Sequence, residues 1–283
     1  MAPDPLIAIA PPMAQIATFA ATGRWGGKLT SRPLPELHAA CEAPSPLTQE
    51  DRRTIVTVWL GRAAAERRAA DSFVVIHRAL VEHEGASPAR DELISMAERA
   101  IDDELRHAEI CRVVASRYAG EELPTPPRLS LDVPRHEGAS AALRRTLHVL
   151  GQCAFNETTA SAFLEVSLDR ARTPLARTAL RELLSDEIDH ARIGWAHLAG
   201  ASASLRAEVA PWIAPMLRDN LRVWRGTGAP ASRSALDAHG VAGNDAVEAA
   251  ILEAIEALIA PGLERVGIDV SALRAWIARG CPT

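Results

Sequence analysis

The sequence predicts an all-α protein, on three observations. Long stretches rich in Ala, Leu, Arg and Glu show no strand-like alternation of Val, Ile, Thr and Tyr. Aromatic residues are scarce, at 4%, while Ala is abundant, which is the composition of helices rather than of sheets. Apolar residues recur at helical spacing along four long segments punctuated by capping residues, Pro and Gly. With 283 residues and 48% hydrophobic content the chain can bury a proper core, as one large domain or two small ones.

Residues 1–46 carry eight prolines, with Gly23, Gly26 and Gly27 between them, and are expected to form an irregular arm draped over a neighbour. The apolar run at 6–21 is broken by Pro11 and Pro12 and lacks a basic lead-in, so it reads as neither a signal peptide nor a membrane span. Thr48 is the expected N-cap of a first helix, with Asp51 at its third position. Val56, Trp59, Ala63, Ala70, Phe73 and Ile76 carry its apolar face to about residue 84. A Gly-Ala-Ser-Pro turn with Ser87 as cap and Pro88 in the first turn opens a second helix, 88–119, closed by Gly120.

Residues 121–138 contain four prolines and form the long connection. Eighteen extended residues reach roughly 60 Å, whereas the second helix is roughly 48 Å long, so this segment can run the full length of a bundle. A third helix is expected over 139–171, and Thr173-Pro174 repeats the cap-plus-Pro start for a fourth, ending near Gly200. The bundle thus occupies 47–200. In the extension 201–283, Pro211 and Pro215 interrupt a helical stretch at 204–225, and 226–243 reads as a loop. Asn244 is expected to cap an amphipathic helix through Val247, Ile251, Ile255 and Leu258, and a short helix follows at 272–278. These elements are expected to pack on the outside of the bundle or to form a homodimer interface.

The net charge of −5, without a dense basic patch, argues against nucleic acid as a partner. Arg supplies almost all the positive charge, Lys28 being the only lysine, which is ordinary for a GC-rich genome. Cys41, Cys111, Cys153 and Cys281 form no C-x-x-C pair. They fit a reducing cytoplasm rather than a disulfide framework or an iron–sulfur site.

Two near-identical stretches organise the chain: Asp103-Glu104-Leu105-Arg106-His107-Ala108 and Asp186-Glu187-Ile188-Asp189-His190-Ala191. Each sets Glu and His three residues apart, which stacks both on one face of a helix, one turn apart, as a two-pronged metal clamp. The first and third helices each offer one carboxylate, Glu66 and Glu157, both followed by small residues and then a Phe. Glu66 to Glu104 spans 38 residues and Glu157 to Glu187 spans 30, so the chain reads as two helix pairs of one design. Taken singly, each of these residues is explained by a solvated helix face or a satisfied core histidine. Six at mutually consistent positions are not.

In these residues the sequence resembles the ferritin-like di-iron carboxylate proteins over about 48–200. Their pattern is one Glu from each of two helices and Glu-x-x-His from the other two, with a short–long–short order of connections. The resemblance implies a ferritin-like four-helix bundle in which Glu66, Glu104, His107, Glu157, Glu187 and His190 hold two iron ions, with a manganese–iron pair as the alternative. Glu104 and Glu187 would bridge them. Carboxylate with some imidazole suits iron or manganese, and the lack of thiolate argues against structural zinc. Asp103 and Asp186 are expected to accept the outer N–H of the opposite clamp's His.

Small side chains flank these positions, as a cavity for dioxygen and an organic substrate requires. Cys111 and Cys153, one turn from the ligands, are expected at its wall. Cys111 stands where ribonucleotide reductase small subunits carry a radical tyrosine and soluble methane monooxygenase a cysteine; it and Ser161 can equally be small core residues. Tyr118, the only tyrosine, is eleven residues past His107, so no stored tyrosyl radical is expected. Ser161 matches a hydroxyl residue beside the oxygen-binding face of similar monooxygenases. Arg62, one turn before Glu66, reads as an ion-pair partner or as a hook for a substrate carboxylate. Leu183 fills the position of the additional His of the arylamine N-oxygenases, a departure from that group.

The expectation is a di-iron oxidoreductase that uses dioxygen to oxidise a small organic molecule. Its electrons come from an external donor or from the substrate, because nothing in the chain binds flavin or nicotinamide. A ferroxidase or iron-storage protein is the alternative, disfavoured by the Pro-rich arm and the 80-residue C-terminal extension. A metal-free helical scaffold is the third.

Overall fold

The computed structural model describes residues 35, 37, 47–82, 88–230 and 233–281. Apart from Pro35 and Leu37, the expected arm lies outside the described residues, as does the Ser87 cap. The described chain is all-helical, its one β-type pairing an isolated bridge between Ala229 and Gly243.

Helix α1 (Gln49–Val81) starts where its cap predicts: Thr48 Oγ1 accepts from the Asp51 N–H at 3.1 Å and donates to Asp51 Oδ2 at 2.7 Å. Helix α2 (Pro88–Ala119) ends at Gly120, whose φ of 79° turns the chain into the long connection without steric cost. Residues 121–138 run without helix, tied down by an Arg128–Asp71 ion pair and by His148 Nε2 on the Pro134 carbonyl at 2.9 Å.

The expected third helix is three pieces: α3 (Ala141–Val149), a π-helical segment (Leu150–Asn156) and α4 (Glu157–Arg170). The reason is tertiary. Asn156, at the end of the wide turn, accepts at Oδ1 from Trp224 Nε1 (3.1 Å) and Asn220 Nδ2 (3.4 Å) of the C-terminal extension. Gly194 of the neighbouring helix also lets the Ala154 backbone approach so closely that a Cβ there would lie 2.3 Å from its nitrogen. Helix α5 (Pro174–Gly200) opens on Thr173 Oγ1, which caps the Ala176 N–H at 3.4 Å.

Helix α1 packs along α2, α2 against α5, α5 against the π segment and α4, and α3 against α1, so the contacts close a circuit around a shared interior. Along α1, Ile55, Trp59 and Ala63 belong to one hydrophobic cluster and Phe73, Ile76 and Leu80 to another; α2 reads the same clusters in reverse order. Glu66, Glu104 and His107 fall between the two clusters.

The extension continues with α6 (Ala203–Val209), a 3-10 turn (Ala210–Trp212) at Pro211, and α7 (Ile213–Trp224). A short α8 (Ser234–Asp237) interrupts the expected loop. Then come α9 (Asn244–Ala254), a second π segment (Ile255–Ile259), α10 (Ala260–Arg265) and α11 (Ser271–Ala278). Gly243, not Asn244, is the N-cap of α9. The Asn244 side chain instead accepts from the Gly228 N–H at 2.8 Å, pinning the preceding loop. The extension shares the larger hydrophobic cluster with the four long segments, with Trp276 and Trp195 both buried in it. No helix among the described residues is long and apolar enough to cross a membrane.

Candidate metal centre

Helical register brings the two clamps face to face. Glu104 and His107 project from α2, Glu187 and His190 from α5, Glu66 from α1, and Glu157 from the first residue after the π segment. Two overlapping groups result, Glu66–Glu104–His107–Glu187 and Glu104–Glu157–Glu187–His190. In each, one donor atom per residue lies within 4.8 Å of all the others. Glu104 and Glu187 belong to both. Glu66 is half-buried, and the other five are buried, Glu104 and His107 completely.

Nδ1 of His107 lies 3.6 Å from Glu104 and 3.3 Å from Glu187; Nδ1 of His190 lies 3.2 Å from Glu104 and 3.1 Å from Glu187. Only the last contact has hydrogen-bond geometry. Both Glu104 oxygens and His107 Nδ1 are buried without an aligned hydrogen-bond partner. Such atoms cost too much to leave bare in a core, and a cation at their common focus satisfies them together. Four carboxylates and two imidazoles also carry the charge and the ligand hardness suited to two divalent ions of the iron or manganese type. The residues present therefore fit the group.

The outer nitrogens point the other way, each toward the Asp of the opposite clamp. His107 Nε2 is 3.0 Å from Asp186 Oδ2, whereas His190 Nε2 is 3.6 Å from Asp103 Oδ2, an ion-pair distance without a hydrogen bond. Asp186 is itself held by Arg106 at 2.7 Å, and Arg106 also reaches Glu182 at 3.2 Å.

Proton affinities follow from this crowding. Burial, then the Glu104 and Glu187 carboxylates, push Glu66 well above the usual carboxylate range; burial, then Glu187 and Glu104, do the same to Glu157. Burial opposes charge on both histidines but is outweighed. Contacts with Asp186, Glu104 and Glu187 hold His107 well above the ordinary imidazole value, and Asp103, Glu104 and Glu187 do so for His190. Burial raises Glu187 too, yet the two imidazoles bring it well below the usual range.

A cavity of about 1380 Å³ reaches the site, and Glu66, Glu157 and Glu187 stand in its wall beside Arg62. Of Arg62, Cys111, Cys153, Ser161 and Leu183, only Arg62 lines it, while the small residues Ala69 and Ala160 beside the ligands do so as expected. Cys111 and Leu183 pack into the larger hydrophobic cluster and Cys153 into the smaller, while Ser161 is fully buried with its Oγ unpartnered. Their helix faces turn into the core, and Ala160 rather than Ser161 meets the cavity.

Sequence reasoning missed the opposite wall. Trp212, Met216, Asn220 and Trp224 come from α7 and the turn before it, and Ser130 to Pro134 from the long connection. It also missed Gln152, whose Nε2 donates to Glu157 Oε1. An α-helix would rotate a residue five positions back out of reach, whereas the π turn aligns it. The one local signal was Gly151-Gln152, an unusual pair for a helix interior.

Compared with protein-family models, curated proteins and solved structures, the chain matches none.

Proposed function

We propose that this protein is a ferritin-like di-iron enzyme that uses dioxygen to oxidise a small organic molecule held in the cavity. The observation that carries the reading is the pair of overlapping donor groups sharing Glu104 and Glu187, with Glu66, Glu157 and Glu187 also in the wall of a cavity of about 1380 Å³. That volume exceeds the range of about 300–1,000 Å³ usual for small-molecule sites. A ferroxidase needs a path for iron but no chamber walled by Trp212, Met216 and Trp224, which favours the organic substrate.

When bound by Glu66, Glu104, His107, Glu157, Glu187 and His190, two ferrous ions would supply open coordination positions for dioxygen and two electrons, which the external reductant restores. The chain's residues do the rest. Asp186 fixes the tautomer and ring orientation of His107, and Gln152 holds one oxygen of Glu157. The apolar clusters flank the donor groups at either end. Full reduction of dioxygen to two waters, or of one atom to water with the other inserted, takes two electrons from the substrate and two from an external reductant. Cys111, Cys153 and Cys281 are free and buried, consistent with a cytoplasmic protein.

Anaerobic ferrous loading followed by addition of oxygen tests the reading. Two irons per chain and oxygen uptake of the order of one per metal pair support it. Accumulation of many irons per chain would favour the ferroxidase instead, and less than one per chain the metal-free scaffold.

A further inference from the structure

Among the described residues, Arg62 is a buried cation with no hydrogen-bonded counter-ion. It is 7% exposed, and its Nε, Nη1 and Nη2 all lack hydrogen-bond partners. What holds it is aromatic: the guanidinium carbon lies 4.6 Å from the ring centre of Trp59 and 4.7 Å from that of Phe163. Those faces fix its plane and leave its N–H edge unused. Glu66, one turn along the same helix, is near enough to favour the charge but forms no ion pair with it among the described residues. A buried guanidinium left this way is costly unless something supplies the acceptor. Arg62 is part of the cavity wall, as are Phe163 and Glu66.

We propose that the substrate is an organic acid whose carboxylate binds the N–H edge of Arg62 while its apolar body extends through the cavity toward Glu66 and Glu187. This rests on the reading of the site as an oxidising metal centre. The guanidinium fork matches two carboxylate oxygens, and the flanking rings exclude the water that would weaken the pair. Arg62 lies four residues from Glu66, about 6 Å along α1, so the oxidised position lies several bonds from the carboxylate and not adjacent to it. Phe163, Trp224 and Met216 supply an apolar wall suited to an aryl or alkyl body.

Calorimetric titration of the full chain, loaded with Mn(II), with benzoate, 3-phenylpropionate and octanoate tests this, using 3-phenylpropionamide and inorganic phosphate as controls. At least one acid binds, the amide binds at least tenfold more weakly, and phosphate does not compete. Arg62→Met, which keeps length and apolar contact, weakens acid binding roughly ten- to a hundredfold; Arg62→Lys falls between. Both variants retain wild-type metal content and thermal stability, Arg62→Met gaining stability if anything, because it removes an unpaired buried charge. Failure of every acid to bind, binding to Arg62→Met within twofold of wild type, equal affinity for the amide, or competition by phosphate would overturn the proposal. The outcomes separate from those of the metal reading: Arg62-dependent acid binding by protein that takes up no metal would sink the di-iron assignment and leave the acid site standing.

Discussion

Asp186 Oδ2 lies 3.0 Å from His107 Nε2, and that contact turns the other ring nitrogen toward Glu104 and Glu187. The carboxylate sits one residue before the opposite clamp's glutamate, so α5 orients a donor on α2; the reciprocal Asp103–His190 distance of 3.6 Å is not a hydrogen bond. Asp186→Ala is predicted to weaken Mn(II) binding at the group containing His107 by roughly 10–100-fold. The group containing His190 should be less affected, because the Asp186 carboxylate is hydrogen-bonded to His107. Titration followed by paramagnetic resonance checks this, and an unchanged affinity for both ions would show that Asp186 has no orienting role.

Glu104 and Glu187 are the two residues common to both donor groups. In the proposed di-iron site, removing either would take a ligand from both ions at once, and on the same helix face the next positions, Ala108 and Ala191, offer no replacement. Glu104→Ala and Glu187→Ala should each leave at most one metal per chain and abolish oxygen uptake. Uptake within about twofold of wild type would count against the shared-ligand geometry.

The metal-free protein is predicted to lose stability as pH rises above about 4.3, the unfolded Glu value, and further above about 6.5, the unfolded His value. Glu66, Glu157, His107 and His190 all have folded-state proton affinities raised above their unfolded values. Their stabilisation is present below the unfolded values, about 4.3 for Glu and 6.5 for His, and is lost as pH climbs through the folded ones. Glu187 is shifted the opposite way, and its contribution is lost only in acid, outside this window. A tenfold gain in proton affinity on folding is worth about 1.4 kcal/mol, so Tm should fall by several degrees in chelator. Mn(II) should abolish or reverse the fall, since metal binding displaces these protons. A Tm in chelator that rises with pH would contradict the assignment of protons to the cluster.

Gly194→Ala should destabilise the fold by about 1–3 kcal/mol despite the better helix propensity of Ala. The new Cβ would lie 2.3 Å from the Ala154 nitrogen and 2.8 Å from its Cβ, and a backbone contact cannot be relieved by a rotamer change. Urea denaturation measures it. Unchanged or increased stability would mean that the π segment yields at little cost.

What could be read from the sequence was local, and what could not was tertiary. The i, i+3 spacing of Glu104 with His107 and of Glu187 with His190, and the caps at Thr48 and Thr173, follow from one helix at a time. The π segment before Glu157 depends on Trp224 and Asn220, some 65 residues away, and on the missing side chain of Gly194. The side of the helix that meets the cavity shifts with that extra residue per turn, which is why Ala160 lines it and Ser161 does not. The Trp212 to Trp224 wall belongs to a stretch whose two prolines obscured its helical period.

The most direct measurement is an anomalous difference map at the iron edge from crystals of the anaerobically iron-loaded protein. Two peaks are predicted, one among Glu66, Glu104, His107 and Glu187 and the other among Glu104, Glu157, Glu187 and His190, with Glu104 and Glu187 contacting both. A single peak, or iron bound anywhere other than among these six side chains, would contradict the di-iron assignment.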